Sequence, residues 1–123
     1  VDRSSLENII IHHAGKLEKL SESIPGHFDE KDVHHWRVEY KKLRAFLRMI
    51  TAAVADHMPL MTGDFRKIYG AAGSIRDLQL FLNILQQNLG EDIEHLPVFQ
   101  ALLVRKLFTA KEEFIRRCDC FSF

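Results

Sequence analysis

The residues best placed for chemistry are cations. Arg37, Lys41, Arg44 and Arg48 recur at steps of four and three, and at about 100° per residue on a helix they fall within an arc of roughly 60°. His34 extends the arc by one turn, either as a neutral donor ordering the start of the helix or as a cation that joins the stripe in acid. Between Trp36 and Arg48 stand five cations, counting Lys42, and a single acid, Glu39, a local balance of +4. Cations at i,i+4 repel by about 0.2–0.5 kcal/mol per pair, whereas an ordinary solvated face intersperses Glu and gains a similar amount. Glu39 points to the far side of the helix from the stripe. Two readings compete. The stripe is either a solvated face neutralised by acids of a neighbouring helix, or an anion-binding surface on which Arg forks and Lys point charges take phosphate-type oxygens.

Other chemistries find less support. Gly73-Ser74-Ile75-Arg76-Asp77 is a smaller signal: a glycine inside a helix costs about 1 kcal/mol relative to Ala and is better tolerated where a partner must come close. Arg76 shares its face, and Asp77 is either a partner for a cation of the preceding helix or a surface acid. His13-Ala14-Gly15-Lys16 has the spacing of a histidine phosphotransfer domain. However, His13 falls on an apolar stripe and Leu17 stands where that motif has Gly, so a satisfied core histidine is the preferred reading. The seven histidines suggest a metal-binding helical bundle. Against it, the adjacent pairs His12-His13 and His34-His35 diverge by about 100° on a helix, and Asp92-Ile93-Glu94-His95 is a lone match to a carboxylate–x–x–His pattern. Nucleophile motifs and glycine-rich phosphate loops are absent, so neither catalysis nor a cofactor nor a metal is expected. Cys118 and Cys120 are too close for an ordinary structural disulfide and lack the C-x-x-C spacing of a zinc site, which makes a reducing cytoplasm the expected compartment.

A scaffold must hold the stripe in place. The chain has 123 residues, 46% of them hydrophobic, with 17 Lys+Arg against 17 Asp+Glu. That composition excludes disordered and low-complexity classes and suits one domain with its own core. The formal charge of zero removes any argument for a polyanion partner from net charge alone, so electrostatic function must lie in how the charges are arranged. No apolar run is long enough to span a bilayer and the first residues form no secretory segment, so no membrane insertion is expected. Pro25-Gly26, Pro59, Gly63, Gly90 and Pro97 divide the chain into four stretches with helical periodicity, at about residues 5–23, 30–57, 64–89 and 97–117, with a short tail from Asp119. Their apolar faces are Leu6-Ile10-His13-Leu17-Leu20-Ile24, then Trp36-Tyr40-Leu43-Leu47-Ile50-Val54, then Ile68-Ile75-Leu82-Leu89 with Ala71, Ala72, Leu78 and Leu85, and last Phe99-Leu103-Leu107-Ala110-Phe114. Asp29 or Asp32 could cap the second helix, and Gly90 ends the third. No period-two stretch competes, so the expected fold is an all-α antiparallel four-helix bundle.

The two basic segments together resemble the signatures of the CHAD domain, an α-helical family that binds inorganic polyphosphate. The first signature, H-x-x-R-V-x-x-[RK]-[RK]-L-R, is matched by His34-His35-Trp36-Arg37-Val38-Glu39-Tyr40-Lys41-Lys42-Leu43-Arg44. The second, L-R-x-L-x-x-x-x-G-x-[VI]-R-D-L, is matched by Phe65-Arg66-Lys67-Ile68 through Gly73-Ser74-Ile75-Arg76-Asp77-Leu78. The resemblance covers about residues 6–89. It implies non-catalytic polyphosphate binding by His34, Arg37, Lys41, Lys42, Arg44, Arg48, Arg66 and Arg76. Lys42 lies about 100° from the stripe on the helical wheel and is the outlier, and Lys in place of Arg at two positions keeps charge but loses the bidentate fork. Family members usually carry two four-helix halves that face each other across the ligand channel, and this sequence corresponds to one. A homodimer that rebuilds the channel is the favoured expectation, ahead of a fragment or a fold that has lost its ligand. With the cytoplasm as the expected compartment, polyphosphate granules are one setting for such a ligand. Nucleic acid is not an expected partner, because Trp36 and Tyr40 belong to the apolar seam and leave little for base stacking.

Overall fold

The computed structural model describes residues 3–50, 63–90 and 96–120. Four helices follow in order: α1 (Arg3–Ser23), α2 (Glu30–Ile50), α3 (Gly63–Leu89) and α4 (Pro97–Asp119), with a 3₁₀ turn at Ile24–Gly26 after α1. No strand occurs among the described residues. The part of the second helix expected over residues 51–57, Val54 included, lies outside them, as does the side chain of Ile50. α4 continues through Asp119, which therefore belongs to the helix and not to a tail.

The helix ends follow from local chemistry. Asp29 caps α2: its Oδ1 accepts the Lys31 amide at 2.9 Å, and its carbonyl accepts the Val33 amide at 3.0 Å. Glu30 and Asp32 in the first turn and Arg48 in the last suit the helix dipole. Gly90, at φ +54°, takes the left-handed conformation that stops α3, and Pro97 occupies the first turn of α4.

Cross-helix contacts set the chain directions. Between α1 and α2, His13 meets Glu39 while Ser21 meets Trp36; between α2 and α3, Tyr40 meets Phe65 while Glu30 meets Asn83. As one helix advances its neighbour recedes, so both pairs are antiparallel. The core centres on Trp36, which is fully buried. Its ring stacks on Tyr40 at 5.7 Å between centroids, lies 5.9 Å from Phe65 and meets Phe114 of α4 edge-on at 6.2 Å. Its Nε1 donates to Ser21 Oγ at 2.8 Å, so the indole N–H is not left unpaired in the interior. Leu17, Ile24, Leu43, Leu47, Ile68 and Ile75 complete the buried seams at the positions their periodicity marks.

The far end of the bundle departs from expectation. Leu82, Leu85, Leu89 and Phe99 are only half-buried, and Phe81, Ile84, Val104 and Phe108 nearby are exposed. Because α2 begins at Glu30, opposite Asn83, the last turn and a half of α3 projects past the start of α2.

Candidate functional site

α2 and α3 build the basic face together. Arg37 crosses from α2 to α3: its Nη2 donates to the Tyr69 hydroxyl at 3.1 Å, and its guanidinium carbon lies 4.7 Å from the Tyr69 ring centroid. The same side chain lies against Gly73, where a Cβ would stand 3.4 Å from Nη2 and 3.5 Å from Cζ. The helix-interior glycine thus lets a guanidinium approach the α3 backbone closely. Arg44 lies 5.5 Å from the ring centroids of both Tyr40 and Tyr69, which are themselves 4.5 Å apart. Burial pushes the Tyr40 phenol above its ordinary pKa, while the positive charges of Arg44, Arg66 and Arg48 act in the opposite direction. Arg66 of α3 therefore shares the field of the α2 stripe.

The remaining residues that the resemblance marks lie on the same two helices. Lys41 and Arg48 are exposed on α2, Arg66 is exposed on α3, and Arg76 is half-buried one turn beyond Gly73. His34 is exposed at the start of the stripe, its ring 6.3 Å from that of His35. Among the described side chains no carboxylate pairs with Arg37, Lys41, Arg44, Arg48, Arg66 or Arg76, and Asp77 pairs with no cation; the side chain of Asp64 lies outside them. The neutralised-face reading finds no support among them.

Lys42 is not gathered with the others. It lies on the opposite flank of α2, 3.7 Å from Glu39 Oε1, and lines a groove of about 480 Å³ with Lys16, Lys19 and His35. Glu39 itself is almost fully buried, within 2.8 Å of His13 Nδ1 and 3.8 Å of Lys16 Nζ. The one acid of the basic stretch is thus consumed between α1 and α2 and leaves the stripe alone. His13, half-buried, is the satisfied histidine that its place on the apolar stripe suggests.

Burial pushes the Glu39 carboxyl up, but the His13 hydrogen bond and the charges of Lys16 and Lys42 outweigh it and hold the group below its ordinary value. A carboxyl depressed in the folded state stabilises the fold above its unfolded pKa, and that contribution is lost as pH falls through the folded value. Glu39→Gln is therefore expected to flatten the loss of stability as pH falls below about 5, measured by urea denaturation. An unchanged pH slope would show that Glu39 contributes none of it.

Tyr69 is the member of this cluster that periodicity missed. It stands four residues before Gly73, a spacing that places it on the same helix face, but an aromatic at such a position reads as core until its neighbours are known. Elsewhere, burial raises the Cys118 thiol to about 11, which keeps it protonated and unreactive. No group of three or more His, Cys, Asp and Glu that could hold a metal occurs among the described residues, and Asp92, Glu94 and His95 lie outside them. No helix among the described residues is long and apolar enough to cross a membrane.

Compared with curated proteins and with solved structures, the chain finds no match. The family model described as CHAD domain matches residues 8–115. The match takes in both signature segments and the Arg37–Tyr69–Arg44 cluster, and with most of the sequence so covered, the chain belongs to the CHAD domain family.

Proposed function

We propose that this chain binds inorganic polyphosphate through the α2–α3 face and performs no chemistry on it. The observation that carries the reading is a set of cations on adjoining helices that no carboxylate among the described residues neutralises. Family membership supports the same ligand class. A linear polyanion lying along this face displaces counterions from its own phosphates, so affinity falls steeply with salt, as it does for nucleic-acid backbones. Trp36 and Tyr40 are fully buried and offer no platform for bases, which favours a ligand recognised by charge alone. Isothermal titration with long-chain polyphosphate at several salt concentrations tests the reading. The expected result is binding whose logarithm falls linearly with the logarithm of salt; no affinity at low salt would sink it.

Pairing of two copies is part of this proposal. Phe81 and Ile84 of α3 and Leu102, Val104 and Phe108 of α4 are exposed apolar side chains of the kind that association covers. Two basic faces brought together repel unless an anion bridges them, so polyphosphate promotes pairing. Size-exclusion chromatography with light scattering should show the protein mass double when polyphosphate is added. A monomer mass at saturating ligand would remove the dimer and leave the binding site standing. The working compartment is the cytoplasm, where polyphosphate granules supply the ligand.

A further inference from the structure

Among the described side chains, no carboxylate holds the arginines of the basic face. A carboxylate orders an arginine well, but it also cancels the charge that an anion would need. An arginine without a partner keeps its charge but loses rotamer freedom when a ligand immobilises it. Arg37 and Arg44 follow a third course: both guanidinium groups lie over the ring of Tyr69, at 4.7 and 5.5 Å, and Arg37 also donates to its hydroxyl. A neutral aromatic attracts a cation through its quadrupole and leaves the positive charge intact.

We infer that Tyr69 is a positioning residue that holds Arg37 and Arg44 side by side as uncancelled charges, ready for adjacent phosphates of one polyanion. The inference rests on the polyphosphate reading. Three further observations carry it. The Tyr69 ring is backed by Tyr40 at 4.5 Å, and Tyr40 is fully buried, so the ring has little freedom to move. Gly73 leaves room for the Arg37 guanidinium against the α3 backbone. The Nε of Arg37 is buried without a hydrogen-bond partner, a cost that a guanidinium swung into solvent would avoid; the packing over Tyr69 and Gly73 must outweigh it.

Tyr69→Leu removes both ring and hydroxyl, and Tyr69→Phe removes the hydroxyl alone. Affinity for long-chain polyphosphate should fall by about tenfold in the first and about threefold in the second. The slope of affinity against salt should stay that of the wild type in both, because no charge is removed; Arg37→Ala, by contrast, should lower the slope by about 0.7–0.9. A readout without ligand accompanies these. The Arg37 Nε–H signal in nuclear magnetic resonance should exchange slowly with solvent in the wild type and about tenfold faster in Tyr69→Leu. Wild-type affinity and slow exchange in both variants would overturn the positioning role. A wild-type protein that shows slow Arg37 exchange but no affinity for polyphosphate would overturn the ligand reading alone. If Tyr69→Leu does not fold, Tyr69→Phe, which keeps the ring packed on Tyr40, decides the matter by the same two measurements.

Discussion

Replacing Arg37, Lys41 and Arg44 together by Ala is expected to weaken binding of long-chain polyphosphate by about a hundredfold or more near 0.1 M salt, and to lower the salt slope by about 2–3. The slope falls because each lost cation no longer releases its share of counterions. The affinity falls further because Arg37 and Arg44 are held over Tyr40 and Tyr69, and their removal takes away the ordered part of the face. The fold should survive. Lys41 is exposed and the two arginines are half-buried, Ala is the best helix former, and the substitutions relieve repulsion at i,i+4. Far-UV circular dichroism should therefore show α2 intact while titration shows the ligand lost. Undiminished affinity in this triple variant would place the anion site elsewhere, with the groove that Lys42 shares with Lys16 and Lys19 as the next candidate.

Trp36→Ala should be the most damaging single change to stability, at about 3–5 kcal/mol out of the 5–15 kcal/mol typical of a domain. The indole touches Tyr40, Phe65 and Phe114, so its loss opens a cavity where α2, α3 and α4 meet. It also strips Ser21 Oγ of its buried donor. Thermal unfolding should shift down by about 10–20 °C. Trp36→Phe keeps most of the ring and loses the hydrogen bond, and should cost about 1–2 kcal/mol. The effect reaches the site: Trp36 supports Tyr40, Tyr40 backs Tyr69, and Tyr69 holds Arg37 and Arg44. Polyphosphate affinity in Trp36→Ala should fall even at a temperature where the variant remains folded. A loss of stability under about 1 kcal/mol would show that the core is not centred on this residue.

The helices themselves were legible without coordinates. Apolar residues at steps of three and four along Ile10–Leu17–Ile24 and Trp36–Tyr40–Leu43–Leu47 can be buried together only on a helix, and they are buried. The Asp29 cap and the Gly90 stop are local events between residues close in sequence, and local spacing sets them. The half-buried end of α3 was not legible, because the burial of Leu82, Leu85 and Leu89 depends on how far α2 extends alongside them.

The site divides along the same line. That Arg37, Lys41, Arg44 and Arg48 share one face, and that Glu39 and Lys42 do not, follows from the angle per residue of a single helix and was determined by the sequence alone. What held Arg37 and where Glu39 found its α1 partners depended on residues 23 to 32 positions away on a neighbouring helix. Periodicity fixes direction around one helix axis but not which side chains a second helix brings opposite. Tertiary packing therefore decided that a tyrosine lies beneath Arg37 and Arg44.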